Sequence, residues 1–251
     1  MRHWLPILAC AFLLATAAAP SGAQECAWGS FDATRINYED GQLNGGAHIL
    51  LRGIITSHGG TILPGTPVLD ANYLAQADVF YTSLLAINGG QLSAAEQSAL
   101  HDWIAAGGTL IVTADIFPLD AYESFTAFYG VTGYVALSEN GTGSVVADHP
   151  ITEGVQAFNY VTQSTYNYPA NALRLADDAN GRVFAVVMEP ATGFDAGGRI
   201  LVLGDHNAFT DSQIIGADNS TLANNFAEWA CNPEPVAVHE TTWGQVRSLF
   251  R

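Results

Sequence analysis

Asp115, Asp205, His206 and Asp211 are the residues of this sequence whose types and placement best suit chemistry. Asp115 follows the apolar run at 109–114, and Asp205 and His206 follow a second run at 199–204. If both runs are parallel strands, their carboxyl ends open onto one rim, where wound α/β sheets hold ligands. A histidine among carboxylates can serve as a base oriented by an aspartate, or share a divalent cation with them. The same aspartates can instead close loops and cap the following helices by accepting backbone N–H groups. One histidine among scattered aspartates is a weak metal signature, so capping is the favoured reading and neither metal nor cofactor is assigned. No serine or cysteine stands beside Asp115 to act as a nucleophile.

The elements that must position these residues are legible around them. Residues 77–85 form an apolar strand and 93–106 a helix, opened by the Ser93-x-x-Glu96 capping box. Leu100, Trp103 and Ile104 give that helix its buried stripe, and Gly107 offers a left-handed exit into the strand at 109–114. This βαβ order implies two parallel strands covered by helices. Upstream, a strand is expected at 30–37. A helix is expected at 42–58, with Leu43, Ala47, Leu50, Leu51, Ile54 and Ile55 on one face. A short helix is expected at 121–129. From 130 to 187, alternating Val, Thr and aromatic residues broken by turn signals predict short, partly antiparallel strands. The strand at 199–204 and a helix at 219–230 complete the fold.

The 251-residue chain has a formal net charge of −16 and no lysine; its eight basic residues are all arginine. That surface repels nucleic acid and anionic lipid, and it excludes Schiff-base and P-loop lysine chemistry. Arg2 and His3 precede an apolar run at 4–19, and Ser21-Gly22-Ala23 supplies small residues for cleavage. Residues 1–23 therefore read as a signal peptide, and the chain as secreted, periplasmic or displayed at the cell surface. Cys10 leaves with that peptide, so Cys26 and Cys231 are expected to form a disulfide across the ends of a domain at 24–231. A Pro-containing linker at 232–240 leads to a tail at 241–251. Its Trp243, Val246, Leu249 and Phe250 suit a sorting or docking element.

The order of four segments carries a family resemblance. They are Ala77-Asp78-Val79, Ser93-Ala94-Ala95-Glu96 with its Gly107-Gly108 exit, Asp148-His149-Pro150-Ile151-Thr152-Glu153-Gly154-Val155, and Gly198 through Asp205. Together they resemble the class I glutamine amidotransferase-like superfamily, in its non-catalytic branch related to ThuA-like and gliding- or transport-associated domains. The resemblance implies a flavodoxin-like, mostly parallel α/β sheet with helices on both faces and an antiparallel extension. It also implies that Asp115 stands where the family places its cysteine nucleophile. His206 falls near the family's catalytic histidine, without the His-Pro-Glu pattern, so glutamine amide chemistry is not expected.

Other residues bear on partners. Tyr160, Tyr166 and Tyr168, with Asn159, Gln163 and Asn167, could stack on sugar rings or form a layer packed on the sheet. His48 and His101 read as satisfied structural histidines, and His149 as a turn residue. The leading expectation is a non-enzymatic binding domain of the envelope or exterior, with a carbohydrate or an envelope protein as partner. The alternatives are a hydrolase using His206 as a base with metal or water, and a structural surface protein attached through its tail.

Overall fold

A computed structural model of the protein describes residues 26–38 and 41–232; the proposed signal peptide, the linker beyond Asn232 and the tail lie outside the described residues. Nine strands form one sheet in the order β2-β1-β3-β4-β9-β8-β7-β5-β6. The parallel half comprises β2 (Gly60–Ile62), β1 (Cys26–Gly29), β3 (Val79–Tyr81), β4 (Thr109–Thr113) and β9 (Arg199–Leu203). With β9 as fifth strand this is the flavodoxin-like order. The antiparallel half adds β8 (Val183–Met188), β7 (Leu173–Asp177), β5 (Thr132–Val145) and β6 (Ala157–Asn167).

Helices cover both faces. Leu51 and Ile55 of α1 (Ile49–Ser57) and Leu222 and Phe226 of α5 (Asn219–Cys231) pack with Tyr81, Ile111 and Leu201 on one face. On the other face, α2 (Ala71–Leu74), α3 (Ala94–Ala105) and α4 (Leu119–Thr126) cover Phe80, Leu110, Val112 and Ile200. Because successive strand residues face opposite sides, β4 and β9 must be apolar at nearly every position, and both are buried throughout.

The capping box on α3 forms as expected: Ser93 Oγ accepts the Glu96 N–H, and Glu96 Oε2 accepts the Ser93 N–H at 2.8 Å. Gly107 takes φ 108°, the left-handed turn into β4. The first strand lies earlier than its expected place at 30–37. The short Cys26–Gly29 run lacks a long apolar signature, while Phe31 and Ile36 make only isolated bridges. The first helix begins at Ile49 rather than at residue 42, since Gly45 and Gly46 favour a loop and a single 3-10 turn. Leu43 is buried nonetheless.

Cys26 and Cys231 are disulfide-bonded, joining β1 to the end of α5. Arg199 reinforces that end, donating to the carbonyls of Trp229 at 2.6 Å and Ala230 at 2.9 Å.

The antiparallel half curls back onto the parallel half. Ser164 N–H in β6 donates to Gly204 O at 2.8 Å, just past the end of β9. The Tyr166 hydroxyl reaches Phe184 O and Val202 O. Only glycine permits this approach, since a Cβ at position 204 would lie 2.5 Å from Ser164 O. The curl buries Tyr160, Tyr166 and Gln163 and leaves only Tyr168 of the three tyrosines exposed. For Tyr160 and Tyr166 the sugar-stacking reading is overturned: those rings belong to the layer packed on the sheet.

Candidate functional site

The β4–β9 register pairs Thr113 with Leu203, so two residues further on Asp115 stands level with Asp205. The ladder continues past the strands, with Ala114 N–H donating to Leu203 O and His206 N–H to Ala114 O. Asp115, Asp205 and His206 therefore meet on one rim, and a ligand atom from each lies within 4.8 Å of the others. All three are sealed, at 4%, 0% and 1% exposure.

His206 Nδ1 lies 2.6 Å from Asp115 Oδ2, yet the ring N–H is not aligned to form a hydrogen bond. Its Nε2 faces the Tyr38 hydroxyl at 3.4 Å. Asp115 Oδ1 accepts the N–H of Ile116, and its Oδ2 has a long 3.4 Å contact with Asn207 Nδ2. Asp205 accepts the Asn207 N–H and the Val161 N–H, each at 2.7 Å. Burial pushes the Asp205 carboxyl well above the usual range despite those two donors, and the neighbouring Asp115 charge adds to the rise.

Much of this arrangement serves the outer edge of β6. Asn207 Nδ2 donates to Val161 O, Asn219 exchanges hydrogen bonds with both backbone groups of Asn159, and Asp218 Oδ2 accepts the Gln156 and Ala157 N–H groups. Side chains from the loop after β9 and from Asn219 at the start of α5 thus replace the missing neighbour strand and blunt an open edge. Between those anchors Thr162 is held at φ 53°, a strained backbone for a β-branched residue.

Asp211 does not join the cluster. Its Oδ1 accepts the Leu50 N–H at 2.8 Å and its own N–H donates to Ala47 O, so it serves the start of α1. That position matters indirectly, because His48 precedes α1. His48 is fully buried, and neither ring nitrogen makes a hydrogen bond of good geometry, although the Gln42 backbone lies close enough to act on the ring. Burial, helped by the charge of His206, holds its pKa at about 4. The expectation of a satisfied histidine fails here. The Tyr81 hydroxyl, whose ring stands 6.2 Å from that of His48, is also buried and makes no hydrogen bond of good geometry, though the Thr113 side chain lies close to it; burial pushes it up. Of the seven unpartnered buried side-chain atoms among the described residues, four belong to His48, Tyr81 and His206. Natural interiors leave few such atoms, so this concentration marks the rim as unusual.

His149 fills its expected turn role: Nδ1 accepts the Ile151 N–H and Nε2 pairs with Glu189 at 3.1 Å. Asn207 was missing from the expected site; its signal was the polar Asp-His-Asn run directly after a buried strand. A cavity of about 250 Å³, lined by Asp78, Trp103, Arg199 and the disulfide, opens at the opposite, amino ends of the strands.

No family model matches the sequence, and no curated protein matches it. Solved structures do. The chain is similar to the N-terminal domain of mmIFT52 at a TM-score of 0.63 and 15% identity, over 83% of this chain and 98% of that one. It is similar to cytoplasmic protein STM1381 from Salmonella typhimurium LT2 at 0.60 and 13%, over 81% and 98%. A ThuA-like protein from Bacteroides uniformis overlaps at 0.47 and 14%, over 84% and 93%, an overlap that adds nothing to the case. At these identities the likeness shows the α/β fold alone.

Proposed function

We propose that this is an exported, non-catalytic interaction domain of the cell envelope or exterior, of amidotransferase-like descent. The carrying observation is a contrast on one rim. The residues able to do chemistry, Asp115, Asp205 and His206, are sealed. Ile49, Leu50, Val68, Ile87, Phe117 and Ile215, all on segments leaving the carboxyl ends of the parallel strands, are exposed. Large apolar side chains gathered on one rim mark an interaction surface more than a solvated one. An envelope protein fits this surface better than a carbohydrate, because Tyr160 and Tyr166, two of the three tyrosines that could have stacked on sugars, lie in the core. The disulfide suits an oxidising compartment, and among the described residues no helix is long and apolar enough to cross a membrane.

The test is a double substitution, Ile87→Asp with Ile215→Asp, on the full chain in its producing cells. The reading expects loss of retention in the envelope fraction with an unchanged Tm. Unchanged retention, or steady turnover of ester, amide or glycoside substrates by the unsubstituted protein, overturns it.

A further inference from the structure

Two buried carboxylates share the rim with two histidines. Asp115, Asp205 and His206 each offer a ligand atom within 4.8 Å of the others. Carboxylates so close together and so deeply buried are costly to leave without a counter-charge. Each Asp205 oxygen accepts one N–H, from Val161 and from Asn207. His206 Nδ1 touches Asp115 Oδ2 without hydrogen-bond alignment, and neither nitrogen of His48 makes a hydrogen bond of good geometry. Buried carboxylate oxygens with lone pairs to spare, beside an imidazole nitrogen that makes no hydrogen bond, form a donor set suited to zinc and its neighbours.

We propose that Asp115, Asp205 and His206 bind a divalent transition-metal ion of the zinc type, with His48 closing the coordination as fourth ligand. The site would be structural, since structural zinc sites are closed and four-coordinate. It would tie the ends of β4 and β9 to the start of α1, directly beneath the apolar rim. Zinc–nitrogen and zinc–oxygen bonds of about 2.0–2.2 Å set tetrahedral ligands roughly 3.3–3.5 Å apart. His206 Nδ1 and Asp115 Oδ2, 2.6 Å apart, are closer than that, so uptake separates them by under about 1 Å. His48 lies outside the tight group of three, so to serve as fourth ligand its buried ring must turn inward with a shift of the side chains packed on it.

The experiment uses the full chain, purified without an affinity tag and stripped with a chelator. Zinc titration by calorimetry should give one equivalent, and cobalt should give the visible bands of tetrahedral coordination. His206→Gln should weaken zinc binding by at least the roughly 10–100-fold that changes in supporting shells cost. His48→Gln should weaken it and abolish the tetrahedral cobalt spectrum. His58→Ala, at the far end of α1, should bind as the unsubstituted chain does. The cobalt spectrum of the unsubstituted chain keeps the test valid if a variant fails to fold. No stoichiometric metal, or binding that survives His206→Gln and is lost in His58→Ala, overturns the proposal.

Discussion

Two buried charged nodes stand at the carboxyl ends of this sheet, and they are built to opposite standards. At the first, Arg35 donates to Glu96 at 2.7 Å and to the carbonyls of Pro67 and Gln91, with its guanidinium 4.3 Å above the Phe31 ring. Glu96 also accepts the N–H groups of Leu69 and Ser93. One positive charge meets one negative charge, and only Arg35 Nε is left over. At the second node, two carboxylates crowd around one unaligned histidine beside an unpartnered one. The first stitches together the loops after β1, β2 and β3 and the start of α3, which is structural work. The second leaves polar groups unpaired, which nature tolerates mainly where something else binds or switches.

This contrast can be broken at several points. The largest expected effect is Glu96→Ala, which strands the Arg35 charge and should cost about 3–5 kcal/mol in chemical denaturation. A loss below about 1 kcal/mol would show the first node to be no better satisfied than the second. Next is acid. His48 has its pKa lowered from 6.5 to about 4, so the unfolded chain binds a proton there that the native chain refuses. Stability should therefore fall as pH drops from about 6.5 to 4, by up to about 3 kcal/mol, and His48→Gln should flatten that part of the profile. The first node acts in a lower window. Burial raises the Glu96 carboxyl, but Arg35 and the Leu69 and Ser93 N–H groups outweigh it and hold the pKa at about 2. Its contribution is complete above 4.5 and should disappear as pH falls toward 2, in a second step that Glu96→Gln removes.

Smaller again is Asp115→Asn, expected to cost about 1–2 kcal/mol because it alters the close contact with His206 Nδ1 while leaving an acceptor for the Ile116 N–H. A loss matching that of Glu96→Ala would mean the second node is a fully formed ion pair. Smallest is Ser93→Ala, which removes one side of the capping box and should lower stability by about 1 kcal/mol. Thermal melts of these variants, read against circular dichroism at fixed pH, would order the whole series.

What the sequence revealed divides along the same physical line. The α3 capping box, the Gly107 exit and the buried β4 and β9 runs depend on neighbours within a few residues, and all are present. The level placement of Asp115 and Asp205 follows from two strand ends, so it too was legible. Burial of Tyr160 and Tyr166 was not, because it depends on β6 curling back through Gly204, a contact spanning 40 residues. His48 looked like a satisfied core residue because an apolar helix face says nothing about what its ring nitrogens meet. Asp211 was grouped with the rim by proximity in sequence, whereas the loop after β9 carries it away to α1. The signal peptide and tail remain expectations from the sequence.

The account rests on the rim histidines being sealed, and exchange of their imidazole C2 hydrogens for deuterium, followed by mass spectrometry, measures that directly. His206 and His48 should exchange only as fast as the domain unfolds, far behind the half-buried His58. Exchange of His206 at the rate of His58 in the native protein would mean an open site, and would contradict the account.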